Sequence, residues 1–224
     1  MSGRYESLSE TGDAEVREIL RPMLTQRRLE RIESVLAGRT YNLSAVLDGL
    51  CDTGNMSAIM RTCDGLGVQR VNLVMTAARY KVGRKVSIGS HKWLDIHHYD
   101  SPSRCALELK EAGYRLLATH LDGGVPLDEI DFSARTALVF GSEGKGVCDE
   151  LLQHCDGRVI IPMSGFSQSL NVSVAAAMSL YQARLDRTQR LGRSGDLTRE
   201  ESDTLRERFF RRSIQSSDAI LSRK

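Results

Sequence analysis

Short apolar runs alternate with helix-like segments along the middle of the chain, and this alternation constrains the fold more than any other feature. The predicted strands are residues 43–50, 71–75, 93–97, 114–119, 136–140 and 158–161. The predicted helices are residues 14–37 (divided at Pro22), 55–66, 101–112, 147–155, 170–191 and 197–214. Strands and helices that alternate at this spacing predict an α/β domain around a largely parallel sheet. Ligands bind such sheets at the carboxyl ends of the strands, so the loops that follow the strands are the candidate sites.

Length and composition set the broad class. The chain has 224 residues, of which 41% are hydrophobic, enough to bury one full core with appendages. No run approaches the ~18 apolar residues of a membrane span. Residues 1–13 lack the apolar segment of a secretory signal, and their acidic residues argue against a transit peptide. We therefore expect a cytoplasmic protein that has no membrane partner, although a processed organellar protein would have the same composition.

The cysteines and histidines point away from disulfides and metals. The five cysteines form no C-x-x-C pair and are odd in number, which predicts reduced thiols. The pair His97 and His98 is the one histidine cluster, and no cysteine or carboxylate lies near it at ligand spacing. We expect no metal site.

Positive charge is concentrated towards the two ends of the chain, although the net charge is only +2. Residues 15–40 hold six arginines against four glutamates, and residues 184–224 hold eleven cations against seven acids. Alternating charges of this kind are typical of solvated helix faces. The same arginines also suit bidentate contact with phosphate, and the sequence leaves both interpretations open.

The first candidate loop is residues 52–63, which follow the first strand. Asn55 is predicted to cap the next helix, and Arg61 follows six residues later on a face that is otherwise small or apolar. Arg61 either extends to solvent along its aliphatic stem or holds a guanidinium beside a pocket, where it would orient a phosphate or an oxyanion.

Two further loops are rich in glycine and small polar residues. Residues 140–146 carry the spacing G-x-x-G-x-G, which matches neither the dinucleotide fingerprint nor the phosphate loop of ATPases. This loop therefore does not argue for NAD or ATP. Residues 161–177 run from a strand through exposed polar positions into a helix rich in alanine, for which Ser169 or Asn171 is the predicted N-cap.

Together these loops resemble the SpoU–TrmH branch of the SPOUT methyltransferases. The blocks that carry the resemblance are N-x-S-A-I-x-R-T-C-D at residues 55–64, F-G-x-E-x-x-G at 140–146 and I-P-M-x-G-x-x-Q-S-L-N-V-S-V-A at 161–175. The resemblance extends over residues 43–184. It implies a SPOUT-type, mostly parallel α/β sheet with a deep C-terminal trefoil knot, flanked by N- and C-terminal helices, in a protein that works as a homodimer.

The resemblance also implies a reaction, a cofactor and a set of site residues. The reaction is methyl transfer from S-adenosyl-L-methionine to a ribose 2′-hydroxyl of RNA. By position, the cofactor contacts come from Thr119, Gly141, Ile161 and Leu170, and the catalytic set is Arg61, Asn55, Glu143, Ser169 and Asn171. Family precedent makes Arg61 a general base. Because a guanidinium stays protonated at neutral pH, we prefer a role for it in stabilising the developing alkoxide.

The substrate expected from the resemblance is guanosine 18 of tRNA. Members that act on ribosomal RNA usually carry a separate N-terminal domain, whereas this sequence predicts short basic arms at 1–40 and 192–224 around a methyltransferase domain at 41–191. A ribosomal RNA 2′-O-methyltransferase and a non-catalytic RNA-binding paralogue are the alternatives. The sequence departs from the family pattern at Gly54, where a histidine is common, and at residues 165–167, which read Gly-Phe-Ser instead of G-M-V.

Overall fold

A computed structural model describes residues 13–75, 91–121 and 123–222 of the chain. The predicted polar loop around Lys81 to Lys85 lies outside these residues. The chain divides into two compact units. The larger is Thr40–Ser194, and the smaller combines the described residues of Met1–Arg39 and Gly195–Lys224.

The larger unit is built on a sheet of seven described strands. They are β1 Thr40–Asp48, β2 Val68–Val74, β3 Asp95–Tyr99, β4 Arg115–Thr119, β5 Val125–Pro126, β6 Thr136–Gly141 and β7 Gly157–Ile160. Their order across the sheet is β3-β2-β1-β6-β4-β7-β5, and every neighbouring pair is parallel. The predicted α/β class is confirmed, and the trefoil knot stays a prediction.

Helices of the larger unit cover both faces of this sheet. The described helices are α1 Asp13–Leu20, α2 Gln26–Leu36, α3 Thr53–Gly65, α4 Pro102–Glu111, α5 Asp149–Leu152, α6 Val172–Leu191, α7 Arg199–Ser213 and α8 Ser217–Leu221. Apolar residues of α3 and α6 pack with alternate β1 residues such as Leu47 in one core cluster. Residues of α4 and α5 pack with Val46 in the second. The alternation of β1 side chains between two buried faces explains its continuous apolar run.

The structure corrects several predicted elements. The helix expected at 147–155 is only the four residues of α5. Trp93, expected to begin a strand, lies in a 3₁₀ turn, and β3 begins at Asp95. Strand β5 was not predicted because a two-residue strand containing Pro126 has no periodicity to detect. The helix expected at 197–214 is followed by the separate α8.

The smaller unit is held together by buried aromatic residues and by ion pairs between its helices. Phe209 and Phe210 of α7 are buried. Arg206 donates to both carboxylate oxygens of Glu33 on α2, at 2.6 and 2.9 Å. Arg17 of α1 donates to the buried Glu207 at 3.2 Å. Part of the arginine content near the ends of the chain therefore joins α1 and α2 to α7.

Two further observations concern the cysteines and the membrane-spanning segments considered in the sequence. Each of the five cysteines is a free thiol, which agrees with the expected absence of a disulfide framework. Among residues 13–75, 91–121 and 123–222, no helix has the length and apolar character that crossing a membrane requires.

Candidate active site

The loops that follow β4, β6 and β7 meet at the carboxyl edge of the sheet around one cavity. The strand order places β6 directly between β1 and β4, and Asp48 at the end of β1 is paired in register with Gly141 at the end of β6. The cavity measures about 610 Å³. This volume is within the range of small-molecule and cofactor sites. The carboxyl-edge location expected for an α/β sheet is therefore the observed one.

The four residues predicted to contact a cofactor all line this cavity. They are Thr119, Gly141, Ile161 and Leu170. The Thr119 hydroxyl donates a hydrogen bond to the Val139 carbonyl at 2.9 Å, which orients the end of β4 against β6. The lining also includes glycine backbone from the loop after β6. Such a wall presents peptide N–H and C=O groups, which suit the donors and acceptors of a nucleobase.

Three residues of the predicted catalytic set form a hydrogen-bonded chain beside the cavity. The Asn55 amide donates from Nδ2 to Glu143 Oε1 at 2.5 Å. The Asn171 amide donates from Nδ2 to Asn55 Oδ1 at 3.2 Å. Glu143 and Asn171 line the cavity, so Asn55 bridges the two loops that form its walls. This chain joins residues that are 88 and 116 positions apart in sequence.

The capping prediction at α3 is wrong, and the correction explains how Asn55 becomes available. The helix begins at Thr53, and its N-cap is Asp52, whose side chain accepts from the Asn55 backbone N–H at 2.7 Å. Asn55 therefore occupies the third helical position, and its amide is free to reach Glu143. At α6 the cap is Asn171, one of the two predicted residues, and its Oδ1 accepts from the Ser173 N–H at 2.8 Å.

The glycines after β6 shape the loop that carries Glu143. Ser142 and Gly146 exchange two backbone hydrogen bonds, at 3.0 and 2.8 Å, which fold the loop back on itself. A Cβ atom at Gly141 would lie 1.9 Å from the Gly146 carbonyl carbon, so no larger residue fits. Gly146 has a φ of +66°, which L side chains rarely adopt. The spacing G-x-x-G-x-G is thus explained first by the loop's own fold.

The two other predicted catalytic residues are placed differently. Ser169 is exposed and lines the cavity. Arg61 is exposed on α3 and lines a separate open groove of about 650 Å³ instead, where its neighbours include Met178 and Tyr181 of α6. Arg61 is therefore the one member of the predicted catalytic set placed in this second groove.

Sequence reasoning missed several residues that line the cavity. They include His120, Lys145 and Gln168. Each is adjacent to, or within, a loop that the sequence singled out, so its position in the loop is the one signal that could have found it. Lys145 adds a positive charge to the loop that carries Glu143.

The thiols of Cys148 and Cys105 have raised pKa values. Burial, followed by the neighbouring Asp48 carboxylate, raises the pKa of Cys148 to about 11, although a hydrogen bond with the Leu151 backbone acts in the opposite direction. Burial also raises the pKa of Cys105 to about 12. Since the thiolate is the reactive form, these cysteines stay protonated, and covalent catalysis through them is disfavoured.

A comparison with protein families decides the relationship. The model of the SpoU rRNA Methylase family matches residues 42–181, which is more than half of the chain. The chain belongs to this family. The resemblance drawn from the three loops is therefore confirmed.

Relatives within the SpoU family agree with this assignment. A tRNA (guanosine(18)-2′-O)-methyltransferase of Aquifex aeolicus is 36% identical over 77% of this chain and 82% of its own length. The crystal structure of the A. aeolicus TrmH/SpoU tRNA modifying enzyme matches with a TM-score of 0.75 at 34% identity, covering 85% of this chain and 98% of that one. The SpoU methyltransferase AviRb of Streptomyces viridochromogenes, solved in complex with AdoMet, matches with a TM-score of 0.56 at 28% identity over 68% of this chain and 58% of that one.

Proposed function

We propose that this SpoU-family chain is a methyltransferase that uses S-adenosylmethionine to methylate the ribose 2′-hydroxyl of guanosine 18 in tRNA. The observation that carries the proposal is the cavity at the carboxyl edge of the sheet, with the chain Glu143–Asn55–Asn171 beside it. The choice of tRNA is supported by the name and the coverage of the Aquifex relative.

The residues that line the cavity fit this cofactor. Gly141, Gly144 and Gly146 line the cavity without side chains, so their backbone groups are available to an adenine. Ile161 and Leu170 add apolar surface. Glu143 offers a carboxylate to the amino group of a methionyl moiety. When bound, S-adenosylmethionine supplies a methyl group that its sulfonium already activates, so the protein has to provide alignment and charge stabilisation.

The site residues divide these tasks between them. Asn55 fixes the distance between the Glu143 loop and the start of α6 through its two hydrogen bonds, and thereby holds the walls of the cavity in register. The exposed Arg61 guanidinium offers donors to a ribose oxygen or an adjacent phosphate. Charge stabilisation by such a donor lowers the barrier as the 2′-oxygen loses its proton.

A homodimer is part of the proposal. Four apolar side chains on α6, spaced as one helix stripe, are exposed: Val174, Met178, Tyr181 and Leu185. A continuous exposed apolar stripe of this kind marks an interaction surface. We assign it to a second copy of the chain because Met178 and Tyr181 also line the groove of Arg61, so a partner there would complete the groove. We place the enzyme in the cytoplasm, where tRNA is available to it.

The decisive experiment is methyl transfer from tritiated S-adenosylmethionine to defined RNAs by the purified full chain. We expect label in a tRNA transcript with guanosine at position 18, and none when that ribose is already 2′-O-methylated or when the nucleotide is 2′-deoxy. Label in ribosomal RNA alone would replace the proposed substrate. Binding of the cofactor with no labelling of any RNA would leave a non-catalytic RNA-binding protein.

A further inference from the structure

Asp48 is a buried carboxylate at the end of β1 that no step of the proposed reaction uses. The residue is 6% exposed. It lies on the face of the sheet where Val46 packs with α4 and α5, and it contributes to the raised pKa values of Cys105 and Cys148. Burial of a carboxylate in such surroundings is costly unless it is hydrogen-bonded. The structure shows what it bonds to.

Asp48 contacts both ends of the loop that carries Glu143. Its backbone is paired in register with Gly141, where that loop begins. Its Oδ2 accepts a hydrogen bond from the Cys148 backbone N–H at 2.7 Å, where the loop ends. Cys148 is the N-cap residue of α5. Its backbone bond to Asp48 therefore anchors the second end of the loop where the helix begins.

The loop anchored by Asp48 is part of the candidate site. Its residues Gly141 to Val147 form one wall of the cavity, and Glu143 extends from it to Asn55. The bridge between Ser142 and Gly146 keeps the loop compact, but it does not connect the loop to the rest of the sheet. That connection comes from β6 at one end and from Asp48 at the other.

We infer that Asp48 is a positioning residue, which sets the height of the Glu143 loop over the cavity through its bond to the Cys148 N–H. The inference rests on the proposed function, because it assigns that loop to the cofactor. Without the bond from the Cys148 N–H to Asp48, the Glu143 loop would lose one of its anchors. We expect the affinity for S-adenosylmethionine to fall about tenfold, the effect of losing one hydrogen bond to a charged group. The loss is expected in the affinity for S-adenosylmethionine and not in that for RNA.

The test compares Asp48→Leu, which removes the acceptor, with Asp48→Asn, which keeps a weaker neutral one. We expect the Kd for S-adenosylmethionine, measured by calorimetry, to rise about tenfold in Asp48→Leu and by less in Asp48→Asn. The KM for tRNA is expected to stay unchanged in both. Because Asp48 acts through Glu143, the effects of Asp48→Asn and Glu143→Ala should be non-additive in the double variant.

Asp156→Asn is the matched control. Asp156 also accepts a backbone N–H, from Leu116 at 2.8 Å, but Leu116 is near the amino end of β4, away from the cavity. Its replacement should leave the Kd for the cofactor unchanged. If Asp48→Asn and a folded Asp48→Leu bind the cofactor like the wild type, or if their effects add to that of Glu143→Ala, the inference is wrong. A wild-type chain that does not bind S-adenosylmethionine would instead refute the proposed function.

Discussion

Arg61 is an exposed arginine on a helix whose opposite face is buried in the core. Arg61 does not line the cofactor cavity; it lines the groove between α3 and α6. The exposed guanidinium is proposed to contact RNA from a groove distinct from the cavity proposed for the cofactor. The two functions proposed for the site, binding the methyl donor and stabilising the attacking oxygen, are therefore expected to be separable by mutation.

The prediction at the residue scale concerns this separation. Arg61→Ala should lower kcat for methyl transfer by about 10²–10³-fold, because it removes a donor to the developing negative charge. The Kd for S-adenosylmethionine should stay at the wild-type value. Arg61→Lys should recover only part of the rate, since an ammonium keeps the charge but loses the planar fork.

Arg104→Ala is the control for Arg61. Arg104 is likewise an exposed helical arginine, but it lies on α4, on the other face of the sheet. Single-turnover assays and equilibrium binding of the cofactor would be measured on all variants. Turnover by Arg61→Ala at the rate of Arg104→Ala would remove Arg61 from the catalytic set.

Helix α2 separates its charges into two flanks. Since an α-helix advances about 100° per residue, Glu30 and Glu33 lie on one side of the buried Ile32 and Leu36. The arginines of α2 lie on the other: Arg27, Arg28 and Arg31. Glu33 is paired with Arg206, whereas the described residues contribute no ion pair to the arginine flank. These three guanidinium groups are exposed, which suits contact with phosphates.

The prediction at the element scale follows from the difference between the ion-paired glutamate flank and the exposed arginine flank of α2. Replacing Arg27, Arg28 and Arg31 with glutamine should weaken tRNA binding and reduce the slope of log K against log[salt] by about one unit for each lost phosphate contact. Filter binding at several salt concentrations measures the slope. The unfolding temperature should change little, because surface arginines without partners stabilise the fold only slightly.

Arg206→Gln separates RNA contact from internal stability. The hydrogen bond with Glu33 raises the pKa of Arg206, as expected for a guanidinium held in an ion pair. Its replacement should lower the unfolding temperature and leave the salt slope as in the wild type. A reduced slope in Arg206→Gln and an unchanged slope in the α2 variant would assign the RNA contact to α7 instead.

At the scale of the whole molecule, the exposed stripe on α6 predicts the assembly. Tyr181 and Met178 are 59% and 45% exposed and lie at the centre of the stripe. Glutamates introduced at these two positions would be buried without partners in a dimer formed through the stripe. We expect the double variant Met178→Glu/Tyr181→Glu to raise the dissociation constant of the dimer about a hundredfold, as replacement of central interface residues does.

Sedimentation velocity over a range of concentrations tests this, with Leu107→Glu as the control. Leu107 is a comparably exposed apolar residue, at 52%, but it is on α4 and outside the stripe. If the double variant sediments like the wild type and methylates tRNA at the same rate, the stripe is not the interface. If it becomes monomeric yet stays fully active, the site does not depend on a second copy.

Periodicity is a local property, and the elements that depend on it were predictable. The α/β class, six of the seven described strands and the division of the first helical segment near Pro22 all follow from the sequence. Elements without periodicity were not predictable, and these include β5 and the short length of α5. The family was predictable because three loops carry distinctive residues in a fixed order.

The contacts of the site were decided by the tertiary structure alone. No pattern in the sequence places Asn55 between Glu143 and Asn171, because that contact requires β1 beside β6, and strand order is set by how the whole sheet packs. The partner of Arg206 was likewise decided by the tertiary structure. Its charge suggests a contact with RNA phosphate, but in the fold it forms an ion pair with Glu33. The sequence by itself determined the fold class and the family, and it supplied the residues proposed to carry the chemistry. The fold decided which of them meet, because a contact across the sheet edge depends on residues far apart in the chain.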